Sequence, residues 1–215
     1  MSALSNKDIK EEITKGNIVI AGLLGDIDNY IGNCSVDVTL GEYFFKNEVE
    51  MEVFNPWCKE HVIKYWGQAK TASVVTEETS KQLTLEVGKK YILLHPGETI
   101  LGHTNEFIGG RHCVTTMMKA RSSLGRCNVT VCRDAGWGDI NFYNRWCLEI
   151  TNEGKFPTVI PFGCRIGQVV FFRTGECDKP YNGKYHPNNN DSLETTIANW
   201  VPDMLLPQLW KEEIY

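Results

Sequence analysis

Much of this 215-residue chain is cut into short runs of β-forming residues separated by turn residues, and that punctuation limits the folds open to it. The runs fall at 18–21, 35–40, 83–87, 91–94, 113–118, 128–131, 145–151 and 168–172. Their length and spacing point to a mainly β chain arranged as a sandwich or barrel. One helix is written at the start. Ser5 can cap it, Asp8 stands three residues on as a capping-box acid, Ile9 and Ile13 share a face, and Gly16 ends it. Segment 46–82 is mixed in charge and carries Pro56-Trp57, which reads as an insertion over the surface. From Gly175 to Ser192 the chain is rich in Gly, Asn, Pro and Lys, as a mobile arm would be. Residues 193–215 hold aromatic and leucine anchors in no pattern that can be placed.

Composition excludes more than it assigns. The formal net charge of −5 argues against a nucleic-acid-binding surface, whose mark is a basic stripe. No run approaches the length of a membrane span, and residues 1–16 are polar and charged with no apolar leader core. A soluble, cytoplasmic protein is expected. The eight cysteines, Cys34, Cys58, Cys113, Cys127, Cys132, Cys147, Cys164 and Cys177, are scattered without a C-x-x-C pair. They read as small hydrophobes in a reducing compartment rather than as a disulfide framework.

Chemistry concentrates in one stretch: Arg121-Ser-Ser-Leu-Gly-Arg126, then Ala135-Gly-Trp-Gly-Asp139, then Trp146-Cys-Leu-Glu149. Two guanidinium forks beside serines suit a polyphosphate, because Arg binds phosphate oxygens bidentately. No Walker A pattern competes for that role. A carboxylate among apolar strand residues tends to hold its proton to higher pH, which suits proton shuttling near neutrality. Strand alternation taken alone would equally turn Glu149 to solvent.

The same stretch resembles the dCTP deaminase branch of the dUTPase-like superfamily, and the likeness continues elsewhere. Ser35-Val-Asp-Val-Thr-Leu-Gly41, Leu94-His-Pro-Gly-Glu98 and Pro180-Tyr-Asn-Gly-Lys-Tyr185 are similar to that family's N-terminal strand, turn and C-terminal arm. The interval of 28 residues from Arg121 to Glu149 fits the family without a gap. The resemblance covers roughly residues 4 to 188. It implies a distorted β-barrel or jelly-roll-like dUTPase fold with a short N-terminal helix. It further implies a nucleotide-binding domain over 1–174 and a C-terminal arm, or lid, and extension over 175–215.

By this resemblance Glu149 is the general base. It takes a proton from the water that attacks cytosine C4 of dCTP, then delivers protons as ammonia leaves. Ser122 and Arg126 orient that water and stabilise the tetrahedral intermediate, with help from the backbone at Ala135. Arg121, Ser123 and Arg126 bind the triphosphate, with Mg²⁺ carried on the phosphate oxygens rather than by protein side chains. Asp139 meets the 3′-hydroxyl region of the sugar and Phe142 stacks beneath it. Gln168, Tyr181, Lys184 and Asn188 complete the substrate contacts, the last three from the arm. The resemblance also implies a homotrimer with shared sites, and dUTP and dTTP as related ligands. Zinc is not expected: none of the five histidines begins an H-x-E, and P-C-x-x-C is absent.

Two other readings stay open. Asp139 lies in a segment also similar to the dUTPase A-G-V-I-D-x-x-Y motif, so the chain is a candidate for a bifunctional enzyme giving dUMP and pyrophosphate. A catalytically silent, regulatory nucleotide binder is the third. There are departures from the family pattern as well. Gly136-Trp137 stands where many bacterial deaminases have His-Arg, Asn188 replaces a Gln, and Ile140-Asn141 replaces Pro-Gly before the aromatic.

Overall fold

A computed structural model describes residues 2–133, 136–175, 177–179, 181–185 and 192–213. The N-terminal helix Asn6–Thr14 forms as its capping chemistry dictates. Ser5 Oγ accepts from the Asp8 amide, and the Asp8 carboxylate accepts from the Ser5 amide in return. Ile9 is fully buried, and Gly16 takes a left-handed φ of 77° just past the helix. Glu12, buried on the inner face, accepts from Asn17 and pairs with Lys15 and with Arg173 on the longest strand, which ties the helix to the sheets.

Four antiparallel sheets make up the rest, and among the described residues they do not close into a barrel. The first is built on Arg165–Arg173, which pairs with Ser2–Ala3, with Val36–Thr39 and with Val114–Ala120, beyond which lies Trp137–Gly138. The second runs Val129–Val131, Cys147–Asn152, Thr99–His103, Tyr43–Lys46, Lys70–Thr71. Three strands around Phe107–Gly110 and three around Lys90–Leu94 form the smaller sheets. Val36, Val38, Leu94, Ile100, Leu148, Ile150, Val169 and Phe171 point inward from these sheets into one core. The chain is therefore mainly β, as its punctuation implied.

Two segments differ from the sequence reading. Residues 83–87 do not form a strand: Thr76 and Thr79 cap the helix Glu77–Leu83 reciprocally, and Thr84 ends it at φ 53°. Local capping bonds win there over β propensity. Within 46–82 the helix Lys59–Trp66 buries Val62 against Phe45 and Leu101, with Leu205 and Leu206 from the chain's last described segment. The insertion thus supplies part of a second apolar cluster. No helix among the described residues is long and apolar enough to cross a membrane.

Gly41 is a point of close approach between its backbone and the His103 ring. A Cβ there would lie 1.9 Å from the ring of His103, so the imidazole occupies the space a side chain would need. Gly41→Ala should destabilise the protein by about 1–3 kcal/mol through overpacking. Gly125→Ala, in a helical turn with open space around it, should be neutral or mildly stabilising. Urea unfolding of both variants checks this, and a Gly41→Ala protein as stable as the parent would contradict the packing.

Candidate active site

The candidate site grows from one strand. Alternation along Cys147–Asn152 sends Leu148 and Ile150 into the core, both fully buried, and turns Cys147 and Glu149 to the opposite face. Glu149 sits opposite Leu101 in the register, and its carbonyl accepts from the Cys132 amide. That face opens into a cavity of about 300 Å³. Asp139, Phe142, Arg145, Tyr181 and Glu149 all contribute to its lining.

The turn before the strand places the other acid. Phe142 donates its amide to the Asp139 carbonyl, and Asn141 between them adopts a left-handed φ of 75°. Asn tolerates that conformation, so Ile140-Asn141 keeps a turn of the kind a glycine would serve. The arm is pinned here as well: Tyr181 donates its amide to Ile140, and its ring meets Phe142 edge-on at 5.6 Å. Burial raises the Tyr181 phenol above its ordinary range.

The far wall comes from the C-terminal extension. Trp200, Met204, Leu205 and Pro207 line the cavity opposite Glu149. The extension is held by several bonds. The Cys147 thiol donates to the Leu205 carbonyl at 3.5 Å, the Gln208 amide donates to the Tyr185 hydroxyl, and Lys184 pairs with Glu212. Burial first, and the neighbouring Glu149 charge second, push the Cys147 thiol far up, so it stays protonated and behaves as an apolar wall. Cys164 is likewise pushed up, to about 11, by burial. The described residues contain no disulfide and no group of three or more His, Cys, Asp or Glu poised to hold a metal.

Behind the cavity lies a buried polar layer. Glu106 is fully buried, and its carboxylate accepts from the Thr39 amide at 2.8 Å and from the Thr39 hydroxyl at 2.6 Å. Burial still raises its pKa above the ordinary carboxylate value, against the pull of those two bonds. His103 is sealed under Tyr43 and Trp200. Its Nδ1 bonds the Thr104 carbonyl at 2.8 Å, and Nε2 accepts from the Tyr43 amide at 3.3 Å. These partners fix a neutral imidazole with the proton on Nδ1. Burial lowers its pKa to about 4, because a charged ring would lose solvent and could no longer accept from Tyr43.

Of the residues singled out in the sequence, Glu149, Asp139, Phe142 and Tyr181 meet around one cavity. The arginine–serine string does not line it. Ser122, Ser123 and Arg126 are exposed on the short helix Ser122–Arg126, and Arg121 pairs with Asp37 at 2.9 Å. Gln168 lies on the longest strand opposite Asp37 and Lys119, away from the cavity lining. Lys184 is taken up by Glu212. Ala135, Asn188 and Pro180 lie outside the described residues. Sequence reasoning missed Arg145 and Trp200. The aromatic and leucine anchors after residue 193 were the available signal, without a pattern to say what they cover.

A family model described as dCTP deaminase-like matches residues 3–174. The chain belongs to the dCTP deaminase-like family. Among curated relatives, a Halobacterium salinarum protein named "dCTP deaminase, dUMP-forming" is 34% identical over 180 residues, 83% of this chain and 84% of that protein. A Methanosphaera stadtmanae protein of the same name is 32% identical over 182 residues, 84% of each chain. A Haloarcula marismortui protein named "dCTP deaminase" is 31% identical over 183 residues, 84% of this chain and 86% of that one. The fold is shared with the crystal structure of 2′-deoxycytidine 5′-triphosphate deaminase from Agrobacterium tumefaciens. The TM-score is 0.55 at 16% identity, over 80% of this chain and 48% of that one.

The His103 environment in this dCTP deaminase-like chain has a direct consequence for stability. Its folded pKa lies below the unfolded value near 6.5, so its contribution is complete above pH 6.5 and is lost as pH falls toward 4. At pH 5 the loss amounts to about 2 kcal/mol. Compared with a His103→Gln variant in urea unfolding at pH 7.5 and pH 5, the wild-type advantage should shrink by about that much. An advantage that stays constant between the two pH values would contradict a buried neutral imidazole.

Proposed function

We propose that the protein hydrolyses the amino group of dCTP, with Glu149 as the proton-transferring base. The observation that carries this reading is the placement of Glu149 in one apolar-walled cavity with Asp139 and Phe142, in a chain of the dCTP deaminase-like family. The Glu149 carboxylate accepts a proton from water as the oxygen adds to C4 of cytosine. That proton then passes to the amino nitrogen, the C4–N bond breaks and ammonia leaves, and the C4 hydroxyl proton moves to N3 so that a C4 carbonyl remains. Aromatic and aliphatic walls keep bulk water from the developing charge, which strengthens each polar contact inside. Phe142 offers its ring to the sugar, and Asp139 accepts from the 3′-hydroxyl.

The triphosphate falls to Arg121, Ser123 and Arg126, and the water-orienting role to Ser122 and Arg126. Ser122, Ser123 and Arg126 are exposed on their own helix, Arg121 at its N-cap is half-buried beside Asp37, and none of them lines their own chain's Glu149 cavity. That separation supports a homotrimer in which a neighbouring subunit brings its string to the cavity mouth. Mg²⁺ enters as part of the nucleotide, spread over its phosphate oxygens, where it neutralises charge without a protein cage. Activation of water rests with Glu149 and not with zinc.

A second reading is favoured by Asp139. It shares the cavity with Glu149, and the relatives from Halobacterium and Methanosphaera carry the name dUMP-forming. On this reading Asp139 also activates a water for attack on the α-phosphate, so that dUMP and pyrophosphate follow the deamination.

Incubation with dCTP and Mg²⁺, scoring ammonia, dUTP, dUMP and pyrophosphate together, separates these activities from a silent binder. Glu149→Gln should lower ammonia release by at least about 10²-fold while dCTP still binds. Near-normal turnover would remove Glu149 from the mechanism. If dUMP forms, Asp139→Asn should stop pyrophosphate release and leave dUTP as the product. Undiminished dUMP formation by that variant would refute a hydrolytic role for Asp139.

A further inference from the structure

Arg145 is a cation in the cavity with no acid bound to it among the described residues. No carboxylate lies within ion-pair distance among the described residues, and its Nε is buried without a hydrogen-bond partner. Its guanidinium lies 4.3 Å from the ring centroid of Trp200 and 5.0 Å from that of Phe107. Burial holds it below the usual guanidinium range, against the through-space pull of Tyr43, Glu106 and Glu42. A half-buried charge without a partner is costly unless a ligand supplies one. Two aromatic rings flank the guanidinium, whose N–H groups can only donate and so call for an acceptor.

Arg145 lies just before the strand Cys147–Asn152, and its side chain lines the same cavity as Cys147 and Glu149. The cavity it lines also carries the apolar side chains of Trp200, Leu205 and Leu101. Such walls suit a pyrimidine ring better than a strongly hydrated phosphate. Cytosine presents the carbonyl O2 and the ring N3 as acceptors on the edge next to its amino group.

We infer that Arg145, seated in the corner of the edge-on pair Phe107 and Trp200, reads the acceptor edge of the pyrimidine and makes the C-terminal extension part of base recognition. The inference rests on the reading of this cavity as the nucleotide site. Trp200 acts as a positioning residue: it holds the guanidinium plane and does not itself donate to the base.

The test begins with ammonia release from dCTP by the wild-type protein, which judges the proposed activity by itself. Binding of dCTP, dCMP and inorganic tripolyphosphate is then measured calorimetrically for wild type, Arg145→Met, Arg145→Lys, Trp200→Ala and Trp200→Phe. Circular dichroism checks the fold of each. Arg145→Met should weaken dCTP and dCMP by about 10-fold or more, the worth of a hydrogen bond to a charged group, and leave tripolyphosphate unchanged. In turnover its KM should rise more than its kcat falls. Trp200→Ala should lose part of the same affinity and Trp200→Phe should restore it. Wild-type affinity for dCMP in a folded Arg145→Met protein overturns the inference. So does an equal loss of tripolyphosphate binding, which would make the ligand a phosphate. If Arg145→Met does not fold, undiminished dCMP binding by both Arg145→Lys and Trp200→Ala overturns it equally.

Discussion

The register between Cys147–Asn152 and Thr99–His103 governs the molecule. Glu149 faces Leu101 and Ile150 faces Ile100, so one period-two pattern drives Leu148 and Ile150 into the core and holds Glu149 at the cavity. A slip of one residue would bury the carboxylate and expose two core side chains. Each of those side chains is worth about 1.5–3 kcal/mol when buried. The hydrophobic core therefore fixes the position of the acid.

The cavity needs a second wall, and the sheet cannot provide it. Phe45, Val62 and Leu101 form an apolar patch on the outer face, and Leu205 and Leu206 cover it with Trp200 and Trp210 alongside. Burial of that patch offsets the entropy lost in ordering the extension. The consequence is electrostatic. A carboxylate, a guanidinium and a buried imidazole layer sit behind aromatic faces, where charges act over longer distances than in water. Glu149 and Arg145, which line the same cavity, give it an acceptor and a donor, which matches a base carrying an amino group and a carbonyl.

Local signals were the most legible. The capping box at Ser5 and Asp8 formed as written, and the runs at 18–21, 91–94 and 168–172 lie within strands. Thr99–His103 was not legible because it carries Gly102, a residue that weakens strand propensity. In the structure a Cβ at Gly102 would approach Ile150 Cδ1 to 3.0 Å, so the glycine sits where the core is tightly packed. Residues 83–87 failed in the opposite sense, since a β-rich composition was overruled by the capped helix before it. For the site, motif resemblance brought Glu149, Asp139, Phe142 and Tyr181 to one cavity. Arg145 and Trp200 depend on a contact between residues 55 apart in sequence, which no local pattern encodes.

The central claim is that the Glu149 cavity of one subunit and the arginine–serine string of another make one reaction centre. Subunit mixing tests it most directly. Glu149→Gln and Ser122→Ala proteins, each inactive alone, are unfolded, mixed and refolded together, and ammonia release from dCTP is measured. Random trimers would place intact strings beside intact bases at some interfaces, so a fraction of wild-type activity should return. A well-mixed trimer population with no activity, or a fully active monomer in sedimentation, would contradict a shared site.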